Sequence, residues 1–347
     1  MNKLKKEPLF KVKDLVIDLY TEQVSVRAVD SVNLEVNAGE ILAVVGESGS
    51  GKTVMTLGPL GLLPEGVSVD IRGQSQCSGQ DLLNKPAREL AKLRGENFGI
   101  IFQDPISALN PMKKVGPQLA SQAVRLRGVS KQQGKEIAIE LLQRTGIPDP
   151  EDRYNRYPHE MSGGMLQRVM IALALVGNPK ILIADEPITA LDATVQAQIL
   201  ELLKDIQCRE NIAIILITHD ISVVAQMADQ VAVLYAGRIA EYGTMEDVLT
   251  RPVHPYTKGL LSSVPDLRSK RGENASGPAG ITGSPPDQSS LLPGCRFVER
   301  CPVAQTFCSK FRPPLEVLPH LSQRHFVACP VAVESTIEQM EGEAYEQ

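Results

Sequence analysis

No stretch of this sequence reaches the ~18 consecutive apolar residues that a membrane-spanning helix requires; the run Met170–Val176 falls far short. A basic excess is also missing. The 36 Lys and Arg against 41 Asp and Glu leave a net charge of −5 and a pI near 5.7, which argues against nucleic acid as the main partner. Lys3, Lys5 and Lys6 are followed by Glu7 and Pro8 where a signal peptide needs its apolar segment. The expectation is therefore a protein kept in the cytosol, which works at a membrane only by docking on other subunits. Tryptophan is absent and aromatics make up 4%, which does not discriminate among functions. No internal repeat is visible, so one copy of each unit is expected. Cysteine is scarce outside one cluster: Cys77 and Cys208 stand alone, while Cys295, Cys301, Cys308 and Cys329 fall within 35 residues. In a reducing compartment such clustered thiols suggest metal or cluster ligands before disulfides.

What is present suits a globular chain. Its 347 residues, 43% hydrophobic, allow one large domain with an appendage or two modest ones. Ile41–Val45, Ile181–Ala184 and Ile212–Ile217 are apolar without alternation, the pattern of parallel strands buried on both faces. Each ends in polar or glycine-rich sequence, where an open α/β sheet binds ligands. Between Gln103 and Ser162 the spacing turns helical, with Ile137, Leu141 and Leu142 on one face and Gly128, Gly146 and Pro148 as breakers. Lys270–Pro293 is rich in Gly, Pro and Ser and is expected to be a linker. The end of the chain is an acidic tail.

The segment Gly46-Glu47-Ser48-Gly49-Ser50-Gly51-Lys52-Thr53 matches G-x-x-x-x-G-K-[ST], follows an apolar strand and opens a helix that Gly58 and Pro59 end. Glycines there let backbone N–H groups curl around phosphate oxygens, and the helix N-terminus adds positive potential. Lys52 would reach the β and γ phosphates, and the Thr53 hydroxyl would ligate Mg²⁺. Asp185, at the end of a buried strand, would hold Mg²⁺ directly or through water. Glu186 is placed to polarise the water that attacks the γ-phosphate. His219, in Thr218-His-Asp220, ends the next strand; it is either a γ-phosphate and water contact or a neutral strand cap.

Ser162-Gly163-Gly164-Met-Leu-Gln167, 110 residues after Lys52, resembles the signature motif of ABC transporter ATPases. In that family the signature of one subunit closes over ATP held by the phosphate loop of another. The resemblance implies further roles. Gln103 matches the glutamine that senses Mg²⁺ and water, and Asp192, in Ala190-Leu-Asp192, matches the D-loop. His219 matches the switch histidine, and Tyr20 stands where an aromatic stacks on adenine, with Phe10 as a nearby alternative. Met161, Leu166, Ile188 and Ala193 depart from the usual pattern without touching these positions. Phe102–Pro111, Thr189–Gln198 and Arg251-Pro-Val-His-Pro-Tyr-Thr-Lys-Gly-Leu-Leu261 look like the dipeptide, oligopeptide and nickel importers. Gly294-Cys-Arg-Phe297, Arg300-Cys-Pro302, Cys308 and Ala328-Cys-Pro330 do so as well. The resemblance covers residues 9 to 333.

This resemblance implies an α/β fold: a P-loop NTPase (RecA-like) ABC cassette with antiparallel β and helical subdomains, plus a small cysteine-containing C-terminal extension. The expected boundaries are 9–250 for the ATPase domain, with a helical subdomain about 110–165, then 251–335 for the extension and 336–347 for the acidic tail. ATP and Mg²⁺ are the implied ligands. The expected function is ATP hydrolysis coupled to uptake of peptides or a related small solute such as an opine or nickel. The alternatives are a soluble ABC-type ATPase and a metal- or redox-sensing regulator. Partners would be a second cassette (a related chain or a copy), two permease subunits and, indirectly, an extracytoplasmic solute-binding protein, at the cytoplasmic side of the inner membrane.

The cysteine spacing, Cys295-x5-Cys301-x6-Cys308-x20-Cys329, is not that of common zinc ribbons. Four thiolates suit a [4Fe–4S] cluster or Zn²⁺, and the resemblance points to an iron–sulfur cluster in some importers; free thiols are the third option. The segment lies far in sequence from the ATP motifs, so no catalytic role is expected of it, and Cys77 and Cys208 are expected to pack.

Overall fold

Strands buried on both faces must be covered by a layer on each side, and this requirement organises the fold. The computed structural model describes residues 7–21, 24–64, 66–189, 191–263, 280–289, 293–318 and 324–336. Much of the Lys270–Pro293 linker, residues 337–347 of the acidic tail, and Ala190 lie outside them.

The strands are β1 (Phe10–Tyr20), β2 (Ser25–Val36), β3 (Ile41–Val45), β4 (Ser68–Cys77), β5 (Gln80–Asp81), β6 (Phe98–Ile101), β7 (Ile181–Asp185), β8 (Ala213–Thr218), β9 (Gln230–Tyr235), β10 (Arg238–Thr244), β11 (Glu316–Val317) and β12 (Phe326–Val327). The larger sheet runs β11-β12-β10-β9-β3-β8-β7-β6 and is parallel from β9 to β6. Three of its strands are the apolar runs expected from sequence: β3, β7 and β8, each buried almost throughout.

One face of this sheet, through Leu42, Val44, Ile183, Ile215 and Ile217, meets the smaller antiparallel sheet β2-β1-β4-β5 through Phe10, Val12, Leu15, Val29 and Leu34. The other face, through Leu182, Ala184, Ile214 and Leu216, packs on helices that include Gly163–Leu175 and Ala193–Glu210. Each fully buried Leu or Ile contributes roughly 1.5–3 kcal/mol, so these two interfaces dominate the stability.

Helices Pro105–Ala108, Val115–Arg127, Lys131–Arg144 and Pro150–Tyr154 fill the stretch expected to be helical. Val115–Arg127 stops at Gly128, whose φ of 66° suits glycine. Lys131–Arg144 begins with a capping box between Ser130 and Gln133. Leu119, Ala123, Ala138, Leu141 and Leu142 bury their apolar stripes.

Beyond β10 the chain returns to the same sheet. β12 pairs antiparallel with β10, through Glu241↔Val327 and Tyr242↔Phe326, and β11 adds outside it. The buried Glu241 carboxylate accepts the N–H groups of Val253 and His254, both at 2.9 Å, and lies 2.7 Å from His325 Nε2. Asp30 of β2, also buried, binds Arg238 of β10 and Arg296 and Arg312 of the C-terminal segment. The extension thus shares a sheet edge and two buried polar clusters with the rest of the fold.

A candidate nucleotide-binding and hydrolysis site

The phosphate loop joins β3 to the helix Lys52–Leu57 and runs close under its neighbours. A Cβ on Gly46 would fall 2.1 Å from Leu234 O, and one on Gly51 (φ 100°) would fall 2.2 Å from Ala28 O. Only glycine fits at either position. Lys52 is buried, with Nζ donating to Gly46 O at 2.8 Å and Glu47 O at 2.9 Å. Burial lowers its pKa, against the pull of Glu186, Asp185 and Glu47. Ser48 and Gly49 are exposed, and the buried Ser50 hydroxyl has no hydrogen-bond partner among the described residues.

Thr53 Oγ1 donates to Asp185 Oδ2 at 2.8 Å. These two oxygens, from the helix start and the end of β7, form a hard donor pair of the kind Mg²⁺ takes. Burial raises the Asp185 pKa; the Thr53 hydrogen bond opposes that and nearby Glu186 adds to it. The loop glycines, the lysine and this donor pair fit a Mg²⁺ nucleotide.

Glu186 adopts a left-handed backbone, φ 46°, with its N–H bonded to Ile217 O at 2.9 Å. Such a conformation costs a non-glycine residue roughly 1–3 kcal/mol and is commonest at functional sites. Its carboxylate accepts Gln103 Nε2 at 2.8 Å and Thr189 Oγ1 at 3.2 Å, and His219 Nδ1 stands 3.1 Å away. Gln103, Glu186 and His219, from the ends of β6, β7 and β8, therefore converge. Its side chain is 64% exposed against 18% for Glu186.

Ser162 caps the helix Gly163–Leu175, its hydroxyl accepting Met165 N–H at 3.4 Å. Gly164 packs on Val195, where a Cβ would approach Cγ1 to 2.8 Å. Gln167 is buried and donates to Pro187 O, tying the signature helix to the segment after Glu186. Asp192 caps Ala193–Glu210, accepting from Thr194 and Val195 at 3.1 and 3.0 Å. Of the two aromatics considered for adenine, Phe10 is buried against Phe98 and Tyr20 is 42% exposed.

The chain is similar to known proteins along nearly its whole length. It is 46% identical to the oligopeptide transport ATP-binding protein OppD of Bacillus subtilis, over 92% of this chain and 87% of that one. Against OppD of Salmonella typhimurium the identity is 47%, over 89% and 90%. This chain belongs to the ABC transporter ATP-binding subunits. The family described as "ABC transporter" matches residues 29–189, and "Oligopeptide/dipeptide transporter, C-terminal region" matches 240–308. Among solved structures, the ATP-binding cassette MJ0796 bound to ADP and Pi is 27% identical with a TM-score of 0.60, over 68% of this chain and 98% of that one. CbiO1 of Clostridium perfringens is 30% identical with the same TM-score, over 71% and 92%. The cassette is thus an ATP-hydrolysing subunit of an ABC transporter, and the P-loop NTPase fold follows with it.

One expectation about cysteine needs correction. Cys208 is exposed and does not pack, whereas Cys77 does. Cys295, Cys301, Cys308 and Cys329 are in no disulfide and together line one apolar cavity of about 20 Å³. Among the described residues no three His, Cys, Asp or Glu side chains form a metal-holding group. Burial raises the thiol pKa values of Cys295, Cys301 and Cys329, that of Cys301 to about 11.

Sequence reasoning also missed a set of residues. Arg300, Tyr256 and Gln288, all far in sequence from the phosphate loop, contact it. Sequence separation gives no sign of this; the resemblance marks out the segments that hold Tyr256 and Arg300 but not their contacts to the loop.

Proposed function

We propose that this cassette hydrolyses ATP at the site built by Lys52, Thr53, Asp185 and Glu186 and couples hydrolysis to peptide import. The carrying observation is the Glu186 carboxylate, held by Gln103, Thr189 and His219 one residue after Asp185, which takes the Thr53 hydroxyl. Bound Mg²⁺ supplies charge neutralisation on the phosphates. The loop N–H groups and Lys52 bind the phosphate oxygens, and Lys52 exchanges its bonds to Gly46 O and Glu47 O for them. Glu186 accepts the proton of the attacking water, while His219 and Gln103 orient its carboxylate and the water. Tyr20 stacks on adenine. Ser162, Gly163 and Gly164, with Gln167 supporting their helix and Asp192 at the following turn, close over nucleotide held by a second cassette.

Peptide cargo is supported by the names of the relatives, which are oligopeptide and dipeptide transport ATP-binding proteins. Phe102, Ile106 and Met112, exposed by 39, 61 and 84% around the loop that follows Gln103, suit a face that docks on permease subunits. Among the described residues no helix is long and apolar enough to cross a membrane, which fits a peripheral subunit at the cytoplasmic face. We assign residues 9–250 to the cassette and 251–335 to the extension. Nothing favours a soluble ATPase or a stand-alone regulator.

Glu186→Gln tests the reading. Phosphate release should fall by roughly 10²–10⁴ while MgATP stays bound, and cells carrying the variant should lose uptake of dipeptides or longer peptides, but not Ni²⁺. Phosphate release at the wild-type rate would remove Glu186 from its role.

The four cysteines belong to the same reading. Four thiols around one cavity are a soft donor set for an iron–sulfur cluster or Zn²⁺. Anaerobically purified protein should carry iron and sulfide, or zinc, that Cys295→Ser removes. Metal-free protein from such a preparation would leave them as packing thiols.

A further inference from the structure

The phosphate loop is gripped on its outer side by the C-terminal segment. Arg300 Nη1 and Nη2 donate to Glu47 Oε2 and Oε1 at 2.8 and 3.0 Å, a fork-on-carboxylate pair. The Arg300 fork is itself fixed: Nε donates to Thr282 O at 3.0 Å, Nη1 also reaches the Tyr235 hydroxyl at 3.2 Å, and the guanidinium lies 5.8 Å from the Tyr235 ring centre. Only 7% of its side chain is exposed. A second anchor acts on the same loop residue, because the Tyr256 hydroxyl accepts the Glu47 backbone N–H at 3.0 Å. Tyr256 is fully buried between Tyr235 and Phe297, and the His254 side chain caps its helix by accepting Tyr256 N–H at 3.0 Å.

Glu47 is an awkward residue in a loop that receives a triphosphate. Its carbonyl takes the Lys52 ammonium, and its carboxylate, left free, would repel the phosphates or draw Lys52 from them. Its φ/ψ state also decides where the next N–H groups of the loop point. A buried, doubly hydrogen-bonded arginine answers both problems, because it cancels the charge and fixes the side chain outward.

We propose that Arg300 is a positioning residue of the nucleotide site, which sets nucleotide affinity by holding the Glu47 carboxylate away from the phosphates, with Tyr256 as the second anchor. Arg300 ends the short turn Val298–Arg300, directly before Cys301 and the cavity that the four cysteines line. The cysteine-bearing segment therefore touches the ATPase site through one side chain. The proposal rests on the phosphate loop binding nucleotide, as inferred above.

The test is calorimetric titration of the purified full-length chain with MgADP, for wild type, Arg300→Gln, Glu47→Gln and the double variant, with thermal melts of each without nucleotide. Arg300→Gln should weaken binding about tenfold, the effect of losing a charge-assisted pair. In the Glu47→Gln background the same substitution should change affinity by less than about threefold, since no carboxylate is left to restrain. Arg300→Lys, which keeps the charge without the fork, should bind with intermediate affinity, and it serves as the comparison if Arg300→Gln melts too low to titrate. A purely structural arginine would lower the melting temperature equally in both backgrounds without this relief. Wild-type affinity in Arg300→Gln, or an undiminished effect beside Glu47→Gln, would overturn the proposal alone. Failure of the wild-type chain to bind MgADP would instead overturn the nucleotide-site reading, and this proposal with it.

Discussion

The residues that matter most here are held where ordinary side chains do not fit. Gly51 combines a φ of 100° with a Cβ position 2.2 Å from Ala28 O, so any added carbon meets backbone that cannot move aside. Gly51→Ala should lower stability by more than ~1 kcal/mol and weaken MgADP binding beyond tenfold, read by chemical unfolding and by the same titration. Wild-type values of both would show that the loop relaxes freely. Glu186 is the opposite case, a left-handed residue that is not glycine. Its strain is offset by Ile217 O behind it and by three side chains in front. These positions were legible because phosphate chemistry demands particular residue types at fixed spacing. Arg300 was not, since nothing in a chain of amino acids announces a salt bridge across 253 positions.

At the scale of elements, what joins the extension to the sheets is charge as much as apolar area. Asp30 alone faces Arg238, Arg296 and Arg312. Burial by itself would raise its carboxyl pKa, but those guanidinium groups hold it below the ordinary value. A folded-state pKa below the unfolded one gives stability that is complete above about pH 4 and is lost as the pH falls through the folded-state value. Asp30→Asn should therefore cost about 3–5 kcal/mol at neutral pH, because it leaves buried arginines unpaired. Its unfolding free energy should also fall less steeply below pH 4 than that of the wild type. Urea titrations at a series of pH values decide this, and parallel slopes would mean that Asp30 does not carry the acid response. The fully buried strands β3, β7 and β8 could be read directly from sequence, since burial on both faces leaves an unbroken apolar run. The two-residue strands β11 and β12 could not, because so few residues carry no period.

For the whole molecule, the apparent appendage turns out to be part of the main body. Its β12 continues the larger sheet outside β10, and its side chains reach the phosphate loop, β2 and β9. Read from sequence, the chain divides into a cassette, 9–250, and an extension, 251–335, with a Gly-, Pro- and Ser-rich stretch from Lys270 to Pro293 within the latter. In space the later residues lie beside the earlier ones, on the sheet edge and at the phosphate loop. Loop-closure entropy grows only slowly with length, so such a return is thermodynamically inexpensive once buried contacts fix it.

The same arrangement has a consequence for the protein's manufacture. Glu47 and Arg300 are 253 positions apart, and at ~5–20 residues per second a ribosome needs roughly 12–50 s to travel between them. During that interval the phosphate loop has emerged but its outer braces do not yet exist. A nascent chain, or a product that ends early through stalling or proteolysis, holds this loop without Arg300 and with one edge of its sheet uncovered. Only a chain translated past Arg300 can make its pair with Glu47.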